Sequence, residues 1–250
     1  MSFLKLLKIA REFTKTTFKK RNFGYCNICE SKTLFIEKTP WLRENYKCLK
    51  CGSSPRQRSL INGLNLYYPD WKNLNIHESS PSTASSVYIK KYCKNYSASH
   101  FYQDIPPGQY KGEYRSEDLS NMTFGDQSFD IILSQDVFEH VMDPINAFRE
   151  IARVLKKGGA HIFTLGWSPN TKISEPRSII KNGEVLHLKE PQYHGNPIDE
   201  KGSLVTWDWG IDIAEIIFKE SGLITSIYDV HNRFLGLDGE TIEVLVSRKI

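Results

Sequence analysis

The stretch that most constrains this chain runs from Ser128 to Leu165 and reads SFDIILSQDVFEHVMDPINAFREIARVLKKGGAHIFTL. Residues 129–134 form a short, nearly unbroken apolar run rich in β-branched side chains, the pattern of a strand buried on both faces in a parallel sheet. Asp143-Pro144 then opens a helix, with an Asp suited to the N-cap and Pro at the first helical position. Ile145, Phe148, Ile151, Ala152 and Leu155 recur at helical spacing and give it one apolar face. Lys156 and Lys157 are expected in its last turn, where cations suit the helix dipole, and Gly158-Gly159 is expected to end it. Residues 160–165 read as the next strand. A strand, helix and strand of this length make a right-handed crossover unit of a doubly wound α/β sheet.

The text SFDIILSQDVFEHV…DPINAFREIARVLKKGG resembles the fourth strand, following helix and fifth-strand approach of class I S-adenosylmethionine-dependent methyltransferases of the type 11-like kind. The resemblance implies a Rossmann-like sheet with an antiparallel last strand at its edge and S-adenosylmethionine as cofactor. In such proteins an acidic residue after the first strand is followed by a Gly-x-Gly turn. Here the first strand is expected at residues 74–77, followed by Glu78-Ser79-Ser80-Pro81-Ser82. Glu78 falls at the acidic position, and Ser80 and Ser82 stand where the family has glycines. Glycine serves there because it lacks a side chain and tolerates positive φ. Serine is small but accepts left-handed geometry less readily.

By the same resemblance, an acid at the end of the second strand (residues 96–102) holds the ribose hydroxyls, which suits Asp104 or Gln103. A carboxylate fits because it accepts through two oxygens. Ser116–Leu119, with Glu117 and Asp118, is expected to border the adenine. Gln135 and Asp136 follow the fourth strand, outside the carboxyl end of the sheet where ligands bind in open α/β folds. Arg56 and Arg58, at the head of a helix over residues 56–72, could approach the cofactor site or an acceptor, though they read first as solvated surface charges.

Upstream, Cys26-x-x-Cys29 is followed after eighteen residues by Cys48-x-x-Cys51. Two such pairs match the knuckles of a zinc ribbon, and four thiolates complete a tetrahedral site with no open position, so a structural zinc ion is expected. Paired cysteines of this kind point to a reducing, cytoplasmic compartment rather than a disulfide framework. The fifth, Cys93, reads as a small buried hydrophobe.

Charge is uneven. Residues 1–25 carry seven Lys and Arg against Glu12, a balance of +6 within a net charge of +4, so the remainder is slightly acidic and is not itself a nucleic-acid-binding body. Residues 1–21 read as a basic amphipathic helix fit to touch a membrane surface, RNA or another protein surface. Lys5 and Lys8 interrupt what would be the apolar core of a signal peptide. No apolar run approaches the roughly 20 residues needed to cross a bilayer.

The expected organisation is therefore a basic helix (1–21), a zinc-ribbon module (22–55) and a methyltransferase domain (56–250). Within it, residues 166–209 form a turn-rich insertion, long enough to be functional and situated above the carboxyl end of the sheet. His187, Tyr193, His194, Asp199, Trp207, Asp208 and Trp209 are its candidate acceptor-pocket residues. His194 or Asp199 is the candidate base, and His140 has either a structural or a general-base role. No Ser-His-Asp or Cys-His constellation is evident, in keeping with methyl transfer by positioning. The expected reaction is O-methylation of a small molecule or sugar. The alternatives are an RNA methyltransferase, and a methyltransferase-fold protein that no longer binds the cofactor.

Overall fold

The computed structural model describes residues 20–168, 170–196 and 198–250. The expected basic helix lies almost wholly outside them; its last residue, Arg21, begins a strand instead. Three antiparallel strands come first: β1 (Arg21–Cys26), β2 (Ser31–Glu37) and, after the short helix α1 (Leu42–Asn45), β3 (Tyr46–Cys48). Helix α2 (Pro55–Tyr67) begins with Pro55 in the first turn, where a missing N–H costs nothing, and the Ser54 amide before it donates to Gln57 Oε1 at 3.4 Å.

The main sheet is built from β4 (Asn75–Ser79), β5 (Asn95–His100), β6 (Tyr110–Lys111), β7 (Tyr114–Ser116), β8 (Phe129–Gln135) and β9 (Leu155–Thr164), closed by β16 (Ile224–Tyr228) and β17 (Val244–Arg248). Helix α3 (Ala84–Tyr92) links β4 to β5, α4 (Pro144–Val154) links β8 to β9, and α5 (Ile213–Ser221) precedes β16. The order across the sheet is β16-β17-β9-β8-β4-β5-β7-β6. Strands β7, β5, β4, β8 and β9 are parallel, while β17 pairs antiparallel with both β9 and β16. The last strand is therefore antiparallel as expected, but it is inserted inside β16 rather than lying at the edge.

Side-chain alternation explains why the strands read as continuous apolar runs. Ile131, Leu133, Ile162, Val244 and Val246 face one core, shared with α2, α3 and the cysteine-bearing strands. Ile132, Phe163 and Leu245 face the other, beneath α4 and α5. Both faces are covered, so both side-chain sets are apolar. Cys26, Phe35 and Tyr46 pack in the same cluster as Leu60, Ile76 and Val244, which makes the cysteine module part of the sheet's own core.

The helix that opens at Asp143 is capped as read: Asp143 Oδ1 accepts from the Asn146 amide at 3.1 Å. Its end is not. The helix stops at Val154, and Leu155 through Gly159 already belong to β9. Lys156 Nζ reaches Asp130 at 2.9 and 3.0 Å instead of serving the helix terminus. Gly159 is required by close approach, since a Cβ there would meet the Asp130 carbonyl oxygen at 2.6 Å.

The insertion folds into three small two-stranded sheets. These pair β10 (Glu175–Pro176) with β15 (Trp207–Asp208), β11 (Ser178–Lys181) with β12 (Glu184–His187), and β13 (Tyr193–His194) with β14 (Ser203–Leu204). Asn182 and Gly183 turn the middle hairpin with positive φ at both positions, the two-residue geometry that matches strand twist. Among the described residues, no helix is long and apolar enough to cross a membrane.

Candidate active site

The chain runs outward from β4 to β5 and β7, then returns to the other side of β4 as β8. The carboxyl ends of β4 and β8 therefore form the point where strand order reverses, the usual ligand crevice of an open α/β sheet. Glu78 lies near the end of β4, fully buried. Its Oε1 accepts from Ser86 Oγ at 2.7 Å and Gln135 Nε2 at 3.0 Å, and its Oε2 from Tyr96 Oη at 2.8 Å. Burial raises its pKa, and these three donors work against the rise. Gln135 also meets Ser85 Oγ at 3.0 Å and Thr83 Oγ1 at 3.2 Å. One buried network thus ties β4, β5 and β8 to the first turn of α3.

Above the network, Ser80 has φ of 57° and its amide donates to Ser99 O at 2.7 Å. A left-handed backbone is thus present on a serine, held by that hydrogen bond. Ser79 and Pro81 are buried, Ser80 is partly exposed and Ser82 is exposed before Thr83 caps α3. Thr83 Oγ1 accepts from the Ser86 amide at 3.3 Å.

Next to this turn, residues 101–107 after β5, Ser116 at the end of β7 and Asp118 beyond it line a cavity of about 300 Å³. Gln103 and Asp104 both line it, with Asp104 Oδ2 turned to Lys111 Nζ at 3.0 Å. Asp118 Oδ1 accepts from Ser120 N and Oγ. Glu117 instead points inward: Arg115 Nε and Thr123 Oγ1 each reach its Oε1 at 2.5 Å. Leu119 is a core residue. Neither Glu117 nor Leu119, both expected beside the adenine, lines the cavity.

Asp136 is also engaged by the protein. With φ of 52° it sits just past β8, and Arg43 grips it through two bonds of 2.7 Å. Arg56 Nε lies 3.1 Å away and Thr164 Oγ1 donates at 3.0 Å. Burial would raise the Asp136 pKa, but the Arg56 and Arg43 guanidiniums outweigh it and hold the carboxyl well below its usual range. Arg43 is 4% exposed and Arg56 8%, so Arg56 is not the solvated charge that its place in the sequence suggests. Arg58, also fully buried, donates to the backbone oxygens of Ser53, Tyr46 and Gly236.

Beyond Asp136, Glu139 is 2% exposed and was not among the residues singled out from sequence. Its Oε1 accepts from the Gly166 amide at 3.2 Å, while Oε2 has no hydrogen-bond partner among the described residues. Burial, with the Asp136 charge nearby, pushes its pKa up to about 8. His140 Nδ1 lies 2.9 Å from Leu204 O, and burial lowers its pKa. The insertion is pinned to this segment by Thr206, whose amide donates to Glu139 O and whose hydroxyl donates to Val141 O, both at 2.8 Å. That pinning brings His194 beside His140, ring centroids 5.2 Å apart and edge-on at 88°. An acid directly preceding a histidine at the carboxyl end of a strand was the available signal for Glu139.

The remaining insertion residues divide. Asp199 is exposed and accepts from the Lys201 amide in its own turn. Asp208 pairs with Arg177 and Lys189. Trp209 is 1% exposed, stacked on Trp207 and donating to Phe138 O, so it is core rather than a pocket wall. Tyr193 and His187 are exposed, His187 against Ser178 Oγ.

The four cysteines converge. Sγ atoms of Cys26 and Cys51 are 3.7 Å apart and those of Cys29 and Cys48 are 3.8 Å apart, with all four within 4.8 Å of one another. A tetrahedron with metal–sulfur bonds of about 2.3 Å has edges of about 3.8 Å, so the donor set fits zinc. Ser53 Oγ stands 3.2 Å from Cys51 and 3.5 Å from Cys26, and the Arg58 cation beneath complements thiolate charge.

Residues 88–163 match the family model described as "Methyltransferase domain". A 126-residue segment is 27% identical to the ubiquinone biosynthesis O-methyltransferase of Ruegeria sp. (strain TM1040), covering 42% of this chain and half the length of that relative. The S-adenosylmethionine-dependent methyltransferase from Mesorhizobium loti superposes with a TM-score of 0.50 at 15% identity, over 76% of this chain and 96% of that one. Streptomyces venezuelae DesVI does so at 0.50 and 13%, over 78% and 92%. Residues 88–163 therefore match a methyltransferase-domain model, and the chain shares the fold of these solved S-adenosylmethionine-dependent methyltransferases.

Proposed function

We propose that the protein transfers a methyl group from S-adenosylmethionine to an oxygen of a small molecule or sugar. The observation that carries this reading is the turn after β4, where Ser80 holds the left-handed backbone expected of the family's glycine at the sheet's point of strand reversal. The resemblance to an O-methyltransferase over 126 residues supports the oxygen acceptor. In this reading the turn Ser79–Ser82 and Gln135 hold the methionine end of the cofactor. Gln103 or Asp104 takes the ribose, and Asp118 borders the adenine in the cavity beyond β5 and β7. Bound S-adenosylmethionine would supply an electrophilic methyl on its sulfonium. The chain's own contribution is to orient the acceptor, exclude water and accept its proton, for which His140 and His194 are the groups at hand. Zinc on the four cysteines would serve only structure, since four thiolates leave no open position.

The test is calorimetric titration of zinc-replete protein with S-adenosylmethionine and S-adenosylhomocysteine. Micromolar binding that weakens at least tenfold in Glu78→Ala is expected, because that variant releases Ser86, Tyr96 and Gln135 from their shared acceptor. No binding at millimolar cofactor would overturn the enzyme reading. High affinity for RNA that falls steeply with salt would redirect it towards a nucleic-acid acceptor.

A further inference from the structure

Glu139, His140 and His194 form a second cluster of ligating groups, separate from the cysteines and on the acceptor side of the sheet. One nitrogen from each imidazole and one Glu139 carboxylate oxygen lie within 4.8 Å of one another. Glu139 is 98% buried by its 2% exposure, and its Oε2 is left without a partner among the described residues. A buried carboxylate oxygen with no donor costs free energy unless something outside the protein satisfies it. His140 donates its Nδ1 proton to Leu204 O, which fixes the tautomer and leaves Nε2 as a lone-pair donor. His194 Nε2 has the Gln192 side-chain amide nitrogen 3.3 Å away, a contact at the long end for a hydrogen bond. His194 is exposed, so the cluster is open to solvent on that side.

We propose that Glu139, His140 and His194 bind a divalent first-row transition metal ion that holds the oxygen acceptor. Two imidazoles and one carboxylate favour zinc, manganese or iron over the all-oxygen sites of calcium and magnesium. Three protein ligands leave coordination positions open, the arrangement of catalytic rather than structural sites. Asp136, three residues before Glu139, does not join the set because Arg43 and Arg56 occupy its carboxylate.

The inference rests on the O-methyltransferase reading and narrows it. A metal in this position would bind the acceptor's hydroxyl oxygen as a Lewis acid and lower its pKa. With the metal bound, His140 and His194 would serve as ligands rather than as bases; the O–H proton would pass to solvent water on the His194 side, and the oxygen's electron pair would attack the methyl carbon as its bond to sulfur breaks, the electrons of that bond leaving with S-adenosylhomocysteine. Such a site favours acceptors with two neighbouring oxygens, as in catechols or vicinal diols, since both can fill open positions.

The metal itself provides the test, without cofactor or acceptor, so that its failure is separable from failure of the methyl-transfer reading. Wild type, Glu139→Gln and His194→Ala are dialysed to equilibrium against micromolar Zn²⁺, and the bound ion is counted per chain. His194 is exposed, so its variant is expected to fold as wild type does, which circular dichroism checks. The expected result is one ion fewer per chain in both variants than in wild type, with the cysteine-bound ion retained. Equal counts in wild type and His194→Ala would overturn the proposal.

Discussion

The ion cluster that joins the cysteine module to the end of β8 makes a quantitative prediction. Arg43, Arg56, Glu44 and Asp136 form a charge-balanced group: Arg43 binds Asp136 through two 2.7 Å bonds, and Arg56 Nε contacts Glu44 at 2.5 Å and Asp136 at 3.1 Å. Arg43 and Arg56 are almost without solvent contact, and Asp136 and Glu44 are only about a fifth to a quarter exposed. Opposite charges about 4 Å apart attract by about 4 kcal/mol at the effective dielectric constant of about 20 suited to such sites. Removing one partner leaves its counter-charge buried, which typically costs about 3–5 kcal/mol. Asp136→Asn leaves a net charge of +1, and Arg43→Met leaves −1, so each is expected to lose that much.

The double variant restores neutrality around the Arg56–Glu44 pair. Its loss should be no more than that of either single variant, a coupling of about 3 kcal/mol or more. Urea unfolding followed by the fluorescence of buried Trp71 and Trp209 measures all four states of the cycle. Losses that add to within about 0.5 kcal/mol would show that the two residues do not act on each other, and would refute the charge-balance argument.

Two further predictions concern pH and metal. Burial of His161 depresses its pKa to about 3, whereas unfolded histidine titrates near 6.5, so between those values the unfolded chain binds more protons and stability falls as pH falls. Relative to His161→Phe, wild type should lose about 1.4 kcal/mol per pH unit below 6.5; parallel stability curves in urea melts at pH 7, 6 and 5 would contradict a buried neutral imidazole. With zinc bound to the cysteines as proposed, chelation should lower stability by several kcal/mol and unfold module and sheet in one transition, because Cys26 and Phe35 share a core with Ile76 and Val244. Two separated transitions in calorimetry, the upper one unmoved by chelation, would show independent units.

Periodicity and local chemistry made part of this molecule legible in advance. The β8–α4 unit declared itself because apolar alternation, an Asp cap and a helical stripe agreed over nearly forty residues. The end of α4 did not, because Lys156, Lys157 and the glycines fit a helix terminus and a strand with an irregular register equally well. The cysteine spacing read directly onto a four-sulfur cluster, since its constraint is local. Arg43 gave no signal: its partner lies 93 residues away, and nothing in the text LREN marks a charge that will be buried. The insertion strands were equally silent, most being two residues long, too short for any period to register. His140 and His194 were both visible as single residues. Their meeting was not, because it depends on Thr206 binding the backbone at Glu139 and Val141.

These illegible contacts give the cysteine module a reason to be fused to this domain. Cys48 ends β3, which pairs with β2, and α1 between these two strands projects Arg43 across to Asp136. Asp136 holds a left-handed backbone, a conformation that aspartate tolerates better than most non-glycine residues, and the two arginines with Thr164 anchor its side chain there. That bend sets the path of residues 137–140 and hence the positions of Glu139 and His140. Arg43 also donates to the Thr241 carbonyl beside β17, so the same guanidinium joins the module, the last strand and the crevice. Through Arg43 the module is thus joined directly to the segment that carries Glu139 and His140. A variant that loosens the cysteine cluster should then disturb residues 136–140 before it disturbs the serine turn after β4, whose Ser80 amide is held by the Ser99 carbonyl within the parallel sheet itself.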